Sequence, residues 1–270
     1  MSPRLFLHAF SLEARTQLSY RANFWINALA GFVAEFGVTY FVWVAVFRES
    51  GRAEIGGYGF DAMILYSLTV VLLGKLVSGR EMEGAISTDI YEGSLNRYLV
   101  LPASYTGFKY AQRMGTLGPG FVQLALFGLA TMLILDLPPG GGMTLGSIAM
   151  ATVAIVVANI LYFLYDNIVQ YVAFWADNVW SLDVAKRFVV ILLGGYMLPL
   201  RTFDEGTQRV LEVLPFRFFF DFPTRVLLGE ISFGAWAAGL LLAAVWGGVA
   251  WGLGRLLWRR GQLRYTGVGI

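Results

Sequence analysis

Three charged residues, Glu35, Lys75 and Asp166, stand inside or at the end of long apolar runs, and they are where this sequence could do chemistry. An ionised group in hydrocarbon is costly. Such residues therefore pair across helices or serve protons, ions or a passing substrate. Covalent chemistry finds little to work with. The chain has no cysteine, one histidine (His8), and neither H-E-x-x-H nor G-x-S-x-G, so an intramembrane metal site or activated serine is not supplied. It also lacks G-x-x-x-x-G-K-[ST], the loop that cradles nucleotide phosphates. A different candidate is the polar-faced stretch YEGSLNRYLVLPASY at 91–105, lying between two apolar runs. Gly93 breaks the preceding pattern and Ser94 can cap a new helix. Leu95, Tyr98 and Leu99 recur on one face, and Pro102 ends it. The two-turn amphipathic helix so predicted is marginal alone, so its apolar face must meet the lipid surface, the chain's own bundle or a partner protein.

The elements that must position these residues are membrane spans. Hydrophobic residues make up 57% of the chain and charged residues 14%, with a mean hydropathy of +0.63, which excludes an ordinary soluble domain. About 20 apolar residues cross about 30 Å of hydrocarbon. Spans are predicted at 24–47, 60–77, 116–135, 145–174, 184–200 and 233–258, the fifth being weaker because Gly194, Gly195 and Pro199 interrupt its end. The fold class is thus an all-α polytopic membrane protein with six transmembrane helices in a single domain covering 1–270. The first 21 residues lack the shape of a cleaved signal and read as an amphipathic interfacial helix or, alternatively, a solvated tail. With both termini cytoplasmic, only Arg48, Arg52, Arg201, Arg209, Arg217 and Arg225 of the 20 basic residues fall outside, leaving 14 inside as the positive-inside rule requires. That orientation puts the 91–105 stretch in the cytoplasm. Gly248 and Gly252 form a G-x-x-x-G that can serve as a helix-packing face or arise by chance among 32 glycines. Lys75 is expected to snorkel to the headgroups, and Asp166 and Asn167 to sit at a hydrated inner end.

LSYRANFWINAL (18–29), GAISTDIYEGSLNRYLVLPASY (84–105) and the sequence from GGYMLPL to FPTRVLLG (194–229) resemble the permease subunits of type-2 ABC exporters, in the six-span subgroup that opens Tyr-Arg-x-Asn-Phe. Here that opening is Tyr20, Arg21, Ala22, Asn23 and Phe24. The loop signature falls on Ile90, Gly93, Ser94, Leu95, Leu99, Leu101 and Pro102. The outer signature falls on Gly195, Pro199, Leu214, Pro215, Phe216, Pro223, Leu228 and Gly229. One departure is Asp204, which stands after Phe203 where a proline is expected.

The resemblance implies that the loop between spans two and three carries a coupling helix gripped by a separate ATPase. Leu95, Tyr98 and Leu99 would anchor it, Glu92 and Arg97 would orient it, and Pro102 would end it. It also implies that ATP and Mg are bound by partner ATPase subunits and no cofactor by this chain. The permease would pair with a second copy or a sister permease, with spans one, two and five at the interface, in the cytoplasmic membrane of a bacterium. Nucleic acid is not among the expected partners. Exported cargo, a lipid or amphiphile among the possibilities, is not legible.

Glu35 is a candidate for the pathway or the subunit interface, against the plainer reading of an interhelical pair. The segment 201–232 is too long and apolar for a simple loop and should fold back as re-entrant helices. Its Pro215, Phe216, Phe219, Phe220 and Pro223 are candidates for an outer gate, with a lipid-facing aromatic anchor as the competing reading. The rival for the whole chain is an ion-coupled secondary transporter using Glu35 and Asp166.

Overall fold

A computed structural model describes residues 3–19, 21–79, 84–100, 104–115, 117–136, 143–176 and 178–266, without the side chains of 17–19 and 21–24. Twelve helices follow one another in these residues: α1 (Pro3–Ser19), α2 (Arg21–Ser50), α3 (Phe60–Ser78), α4 (Ala85–Tyr91), α5 (Asn96–Leu99), α6 (Tyr105–Gly115), α7 (Leu117–Ile134), α8 (Leu145–Gln170), α9 (Trp180–Leu193), α10 (Glu205–Val213), α11 (Asp221–Leu227) and α12 (Phe233–Gln262). Two short antiparallel strands, β1 (Glu54–Ile55) and β2 (Tyr58–Gly59), join α2 to α3. Their tight turn needs positive φ at both central positions, and Gly56 and Gly57 supply it at +59° and +77°.

The apolar pattern decides which helix is central. Helix α3 is apolar on every side, 78% of its span is buried, and it packs against α2, α7, α8 and α11. Its Ser67, Thr69 and Ser78 hydroxyls turn back to the carbonyls four residues earlier at 2.7–2.8 Å, which lets polar residues sit in this core. In contrast, only 17%, 17% and 11% of the apolar windows of α2, of α6–α7 and of α12 are buried inside the chain. Leu29, Phe41, Leu133 and Leu241 stand outward on them, surfaces that only lipid or another apolar chain can satisfy. The protein is an all-α polytopic membrane protein.

Among the described residues, five helices are long and apolar enough to cross a membrane: Trp25–Ser50, Phe60–Ser78, Tyr105–Ile134, Leu145–Phe174 and Phe233–Gln262. The fifth predicted span differs. Helix α9 starts at Trp180 rather than Val184 and stops at Leu193, and its 14 residues rise only about 21 Å. Gly195 then takes φ +81°, and the chain folds back through α10 and α11. The third span also begins earlier than its hydropathy suggests, because α6 already starts at Tyr105.

Helix α1 is helical, not a loose tail, and lies against α6. Gly115 permits the close approach, since a side chain there would meet Phe10 and Glu13 at 2.7–2.8 Å. Leu7 and Leu12 point away from the bundle, as an interfacial helix requires. Helix α12 packs along α8, and its small buried residues Gly239, Ala243, Ala250, Gly254 and Gly261 let it come close, with Gly239 against Phe222 of α11 and Gly254 and Gly261 against Tyr171 and Phe174 just past α8. Gly248 and Gly252 face open space, so the G-x-x-x-G is not a packing face within this chain.

Candidate functional site

The inner element is built differently from the single helix that its spacing predicts. Helix α4 ends where Gly93 takes φ +73°, a turn follows, and α5 is one turn long. Ser94 does not cap it. Its hydroxyl donates to Asp89 at 2.6 Å, as does the Tyr105 hydroxyl at 2.6 Å, while the Lys109 ammonium sits 2.7 Å from the same carboxylate. Burial raises the Asp89 pKa, but Lys109, Ser94 and Tyr105 together outweigh that effect and hold the carboxyl below the usual range. Asp89 thereby ties α4, the turn and α6 into one body.

That folding sorts the predicted contact residues. Leu95 is fully buried in the chain's own inner core with Ile86, Ile90 and Phe163, so it is a structural anchor rather than a contact for a partner. Tyr98 is half-buried, stacked edge-on to Tyr105 at 5.1 Å. Glu92, Arg97 and Leu99 are exposed and remain available. Pro102 lies outside the described residues. Exposed Tyr91 and Val100, which the sequence reading passed over, extend the apolar tip, and Val100 is 81% exposed.

A polar relay runs from this element into the bundle. The Gln170 side-chain oxygen accepts from the backbone N–H groups of Ile86 and Ser87 at 2.9 and 3.2 Å, satisfying the first turn of α4. The Gln170 amide donates to Asp166, which also pairs with Lys186, and Lys186 reaches Asp183 at 2.6 Å. Asp166 is thus buried and paired, not at a hydrated end; only a bonded partner makes such burial tolerable. A groove of about 910 Å³ separates α4 from the start of α9, with Thr88, Tyr91, Trp180 and Arg187 on its walls. The inner end of α3 is held by Asn159, whose amide donates to the Leu76 carbonyl at 2.7 Å, and by buried Arg113, which donates to that of Val77. Lys109 and Arg113 are therefore buried bonding partners in α6, although a cytoplasmic loop was expected there.

The segment 201–232 folds back on the bundle around a second carboxylate. Asp221 accepts from Tyr66 at 3.1 Å and faces Arg225 at 3.6 Å, and its N–H donates to the Gly194 carbonyl at 2.9 Å. Arg225 and Tyr58 both reach Glu230, at 3.3 and 2.8 Å. Gly195 is required here: a side chain would meet Asp221 at 2.7 Å and the Tyr66 hydroxyl at 2.9 Å. Asp204, standing where proline was expected, caps α10 by accepting from the Thr207 N–H at 3.0 Å.

The sequence profile of the ABC-2 family transporter proteins matches residues 33–269. The chain belongs to the ABC-2 transporter family. A comparison with curated proteins finds no match. The protein is an ABC-2 permease, a membrane transport subunit.

In this permease the candidate gate residues face inward. Phe219 and Phe220 are 0% and 3% exposed, and Phe219 lies 5.3 Å from Tyr162 and 5.7 Å from Tyr165 on α8. The lipid-facing alternative does not fit rings so covered. Phe216 is partly buried against Tyr165. Pro215 opens a 3-10 turn, and Pro223 occupies the first turn of α11, where its missing N–H costs nothing. Glu35 accepts from the Tyr196 hydroxyl at 3.3 Å, linking α2 to the turn after α9. Lys75 does not simply snorkel, since its ammonium donates to the Ala28 carbonyl at 2.9 Å.

Asp89, Gln170 and Asp221 were missed from sequence. Asp221, alone in FRFFFDFP, was legible as an anomaly, because a carboxylate among five phenylalanines must be buried with partners. Asp89 and Gln170 carry no such signal, because each stands among other polar residues and only the turns and packing of the folded chain bring their partners to them.

Proposed function

We propose that this ABC-2 permease is the membrane half of an ATP-driven exporter. Separate ATPase subunits bind ATP and Mg and grip the inner element formed by α4 and α5. The observation that carries this reading is the exposed apolar tip Tyr91, Leu99 and Val100, with Glu92 and Arg97 beside it, standing on a base that Asp89 fixes. Such a tip is costly in water and needs a protein groove. Closure of the ATPase pair would then move a rigid body, and the Gln170–Asp166–Lys186 relay would pass that displacement to α9. The permease works as a dimer with a second copy or a sister permease, through the outward apolar faces that the chain leaves uncovered.

In the same account the outer hairpin is the gate, moving as one unit that Phe216, Phe219 and Phe220 fasten to α8. The membrane is the cytoplasmic membrane of a bacterium, with six crossings, both termini inside, and α9 completing the count. A lipid or amphiphile is the cargo class that fits the apolar interior best. A cavity of about 360 Å³ between α3, α7 and α8 has only Thr69 and Thr152 as polar lining. The ion-coupled reading draws no support from Asp166, which is occupied by Lys186.

The test is Leu99→Asp, assayed in membranes containing the cognate ATPase. Association and transport should be lost while the permease inserts normally, because a carboxylate in an apolar groove is costly. Normal association and transport would remove the docking role.

A further inference from the structure

A cavity of about 530 Å³ opens where α12 leaves the apolar layer, between that helix, α8 and the start of α6. Its size falls in the range of small-ligand sites, roughly 300–1,000 Å³. Three features of its lining point to one kind of occupant. Arg255 is exposed, stacks over Trp251 at 5.1 Å, and has no carboxylate partner among the described residues. Asn167 is 2% exposed, and its side-chain oxygen has no hydrogen-bond partner among the described residues, an expensive condition for a buried acceptor. Trp251 and Trp258 flank the opening, at the depth where indole rings settle among headgroups.

The level follows from the helix itself. About 20 residues of α12 from Phe233 fill the hydrocarbon, which brings Trp251 and Arg255 to the interface. Arg259 and Arg260 follow in the last turn and add positive charge at the same end.

We propose that this cavity binds the headgroup of an anionic phospholipid carrying a free hydroxyl, of the phosphatidylglycerol type. Its phosphate pairs with Arg255, and its hydroxyl donates to the Asn167 oxygen. The Thr106 and Tyr171 hydroxyls, 2.8 Å apart on the same wall, offer further polar contact. A zwitterionic choline headgroup brings no donor for Asn167 and cancels the charge that Arg255 selects. Leu99 also borders the cavity, so the lipid sits beside the exposed tip of the inner element. Lipid binding is independent of the docking role proposed above and is measured on the permease alone.

Purified, delipidated permease in detergent would be titrated with phosphatidylglycerol, phosphatidylcholine and phosphatidylmethanol, and bound lipid counted by native mass spectrometry. Phosphatidylglycerol should bind about tenfold tighter than phosphatidylcholine, and Arg255→Gln should remove about that factor, the worth of one charge-assisted bond. Asn167→Leu should weaken phosphatidylglycerol but not phosphatidylmethanol, a phosphodiester of the same single charge with no headgroup hydroxyl. If Asn167→Leu does not fold, the preference of the wild type for phosphatidylglycerol over phosphatidylmethanol carries the same information. Equal binding of phosphatidylglycerol and phosphatidylcholine would overturn the proposal. So would an equal loss on Arg209→Gln, an exposed cation on α10. Displacement of the lipid by inorganic phosphate alone would assign the site to a free anion instead.

Discussion

The inner and outer elements of this permease are both organised by a buried carboxylate, yet they expose opposite things. Asp89 gathers Ser94, Tyr105 and Lys109 and leaves Tyr91, Leu99 and Val100 standing out in solvent. Asp221 gathers Tyr66 and Arg225 and turns Phe219 and Phe220 into the chain's own core. The first arrangement spends its polar bonds on shape and keeps its apolar groups free for a partner. The second uses both to lock the segment down. A short helix built to be gripped and a hairpin built to stay shut would differ in just this way.

The largest expected effect lies on the locked side. Replacing Phe219 and Phe220 together by Ala should cost about 3–5 kcal/mol for each ring, read as a large fall in the unfolding temperature of the purified permease. Basal ATP hydrolysis by the reconstituted complex should rise, since the gate would no longer hold the resting state. Unchanged stability would break the comparison at once. Asp221→Ala comes next. It removes the acceptor that Tyr66 and Arg225 share, while Arg225 keeps Glu230 and Tyr66 keeps the Gly195 carbonyl, at a cost of about 1–3 kcal/mol, and Asp221→Asn should cost visibly less.

On the gripped side, pH gives the sharper readout. Because the Asp89 pKa is lowered by folding, its contribution is fully present above the ordinary carboxylate value. It disappears only as pH falls through the lowered one. ATPase association should therefore be flat from about pH 8 to 5 and be lost only once pH falls below the ordinary carboxylate value in the wild type. Asp89→Asn should show weaker association already at neutral pH. A midpoint near pH 6 would assign the transition to some other group.

Much of this architecture could be read from the chain before its folding was known. Periodicity and length placed the long helices, and the uninterrupted apolar run of 60–77 marked the central one. Gly93 correctly announced a break in the inner element. The length of α9 was not legible, because Val189–Leu193 and Tyr196–Leu200 are equally apolar and only the +81° turn at Gly195 separates them. Nor was the fate of Leu95, since a single face of leucines looks the same whether its partner is another protein or its own bundle. Lys109 and Arg113 looked like loop charges because their partners, Asp89 and the carbonyl end of α3, are brought to them only by tertiary packing.

The smallest effect on stability is expected at the exposed tip. Val100→Cys and Leu99→Cys should each shift unfolding by no more than about 0.5 kcal/mol. In a chain without native cysteine, each thiol is also a clean chemical handle. The central claim rests on that handle: with the cognate ATPase co-expressed, Val100→Cys treated with a short amine-to-thiol cross-linker should join permease to ATPase, whereas Val210→Cys on the outer α10 should not. An intact, active complex in which Tyr91, Leu99 and Val100 cysteines all fail to cross-link, or one in which Val210 does so, would contradict the account.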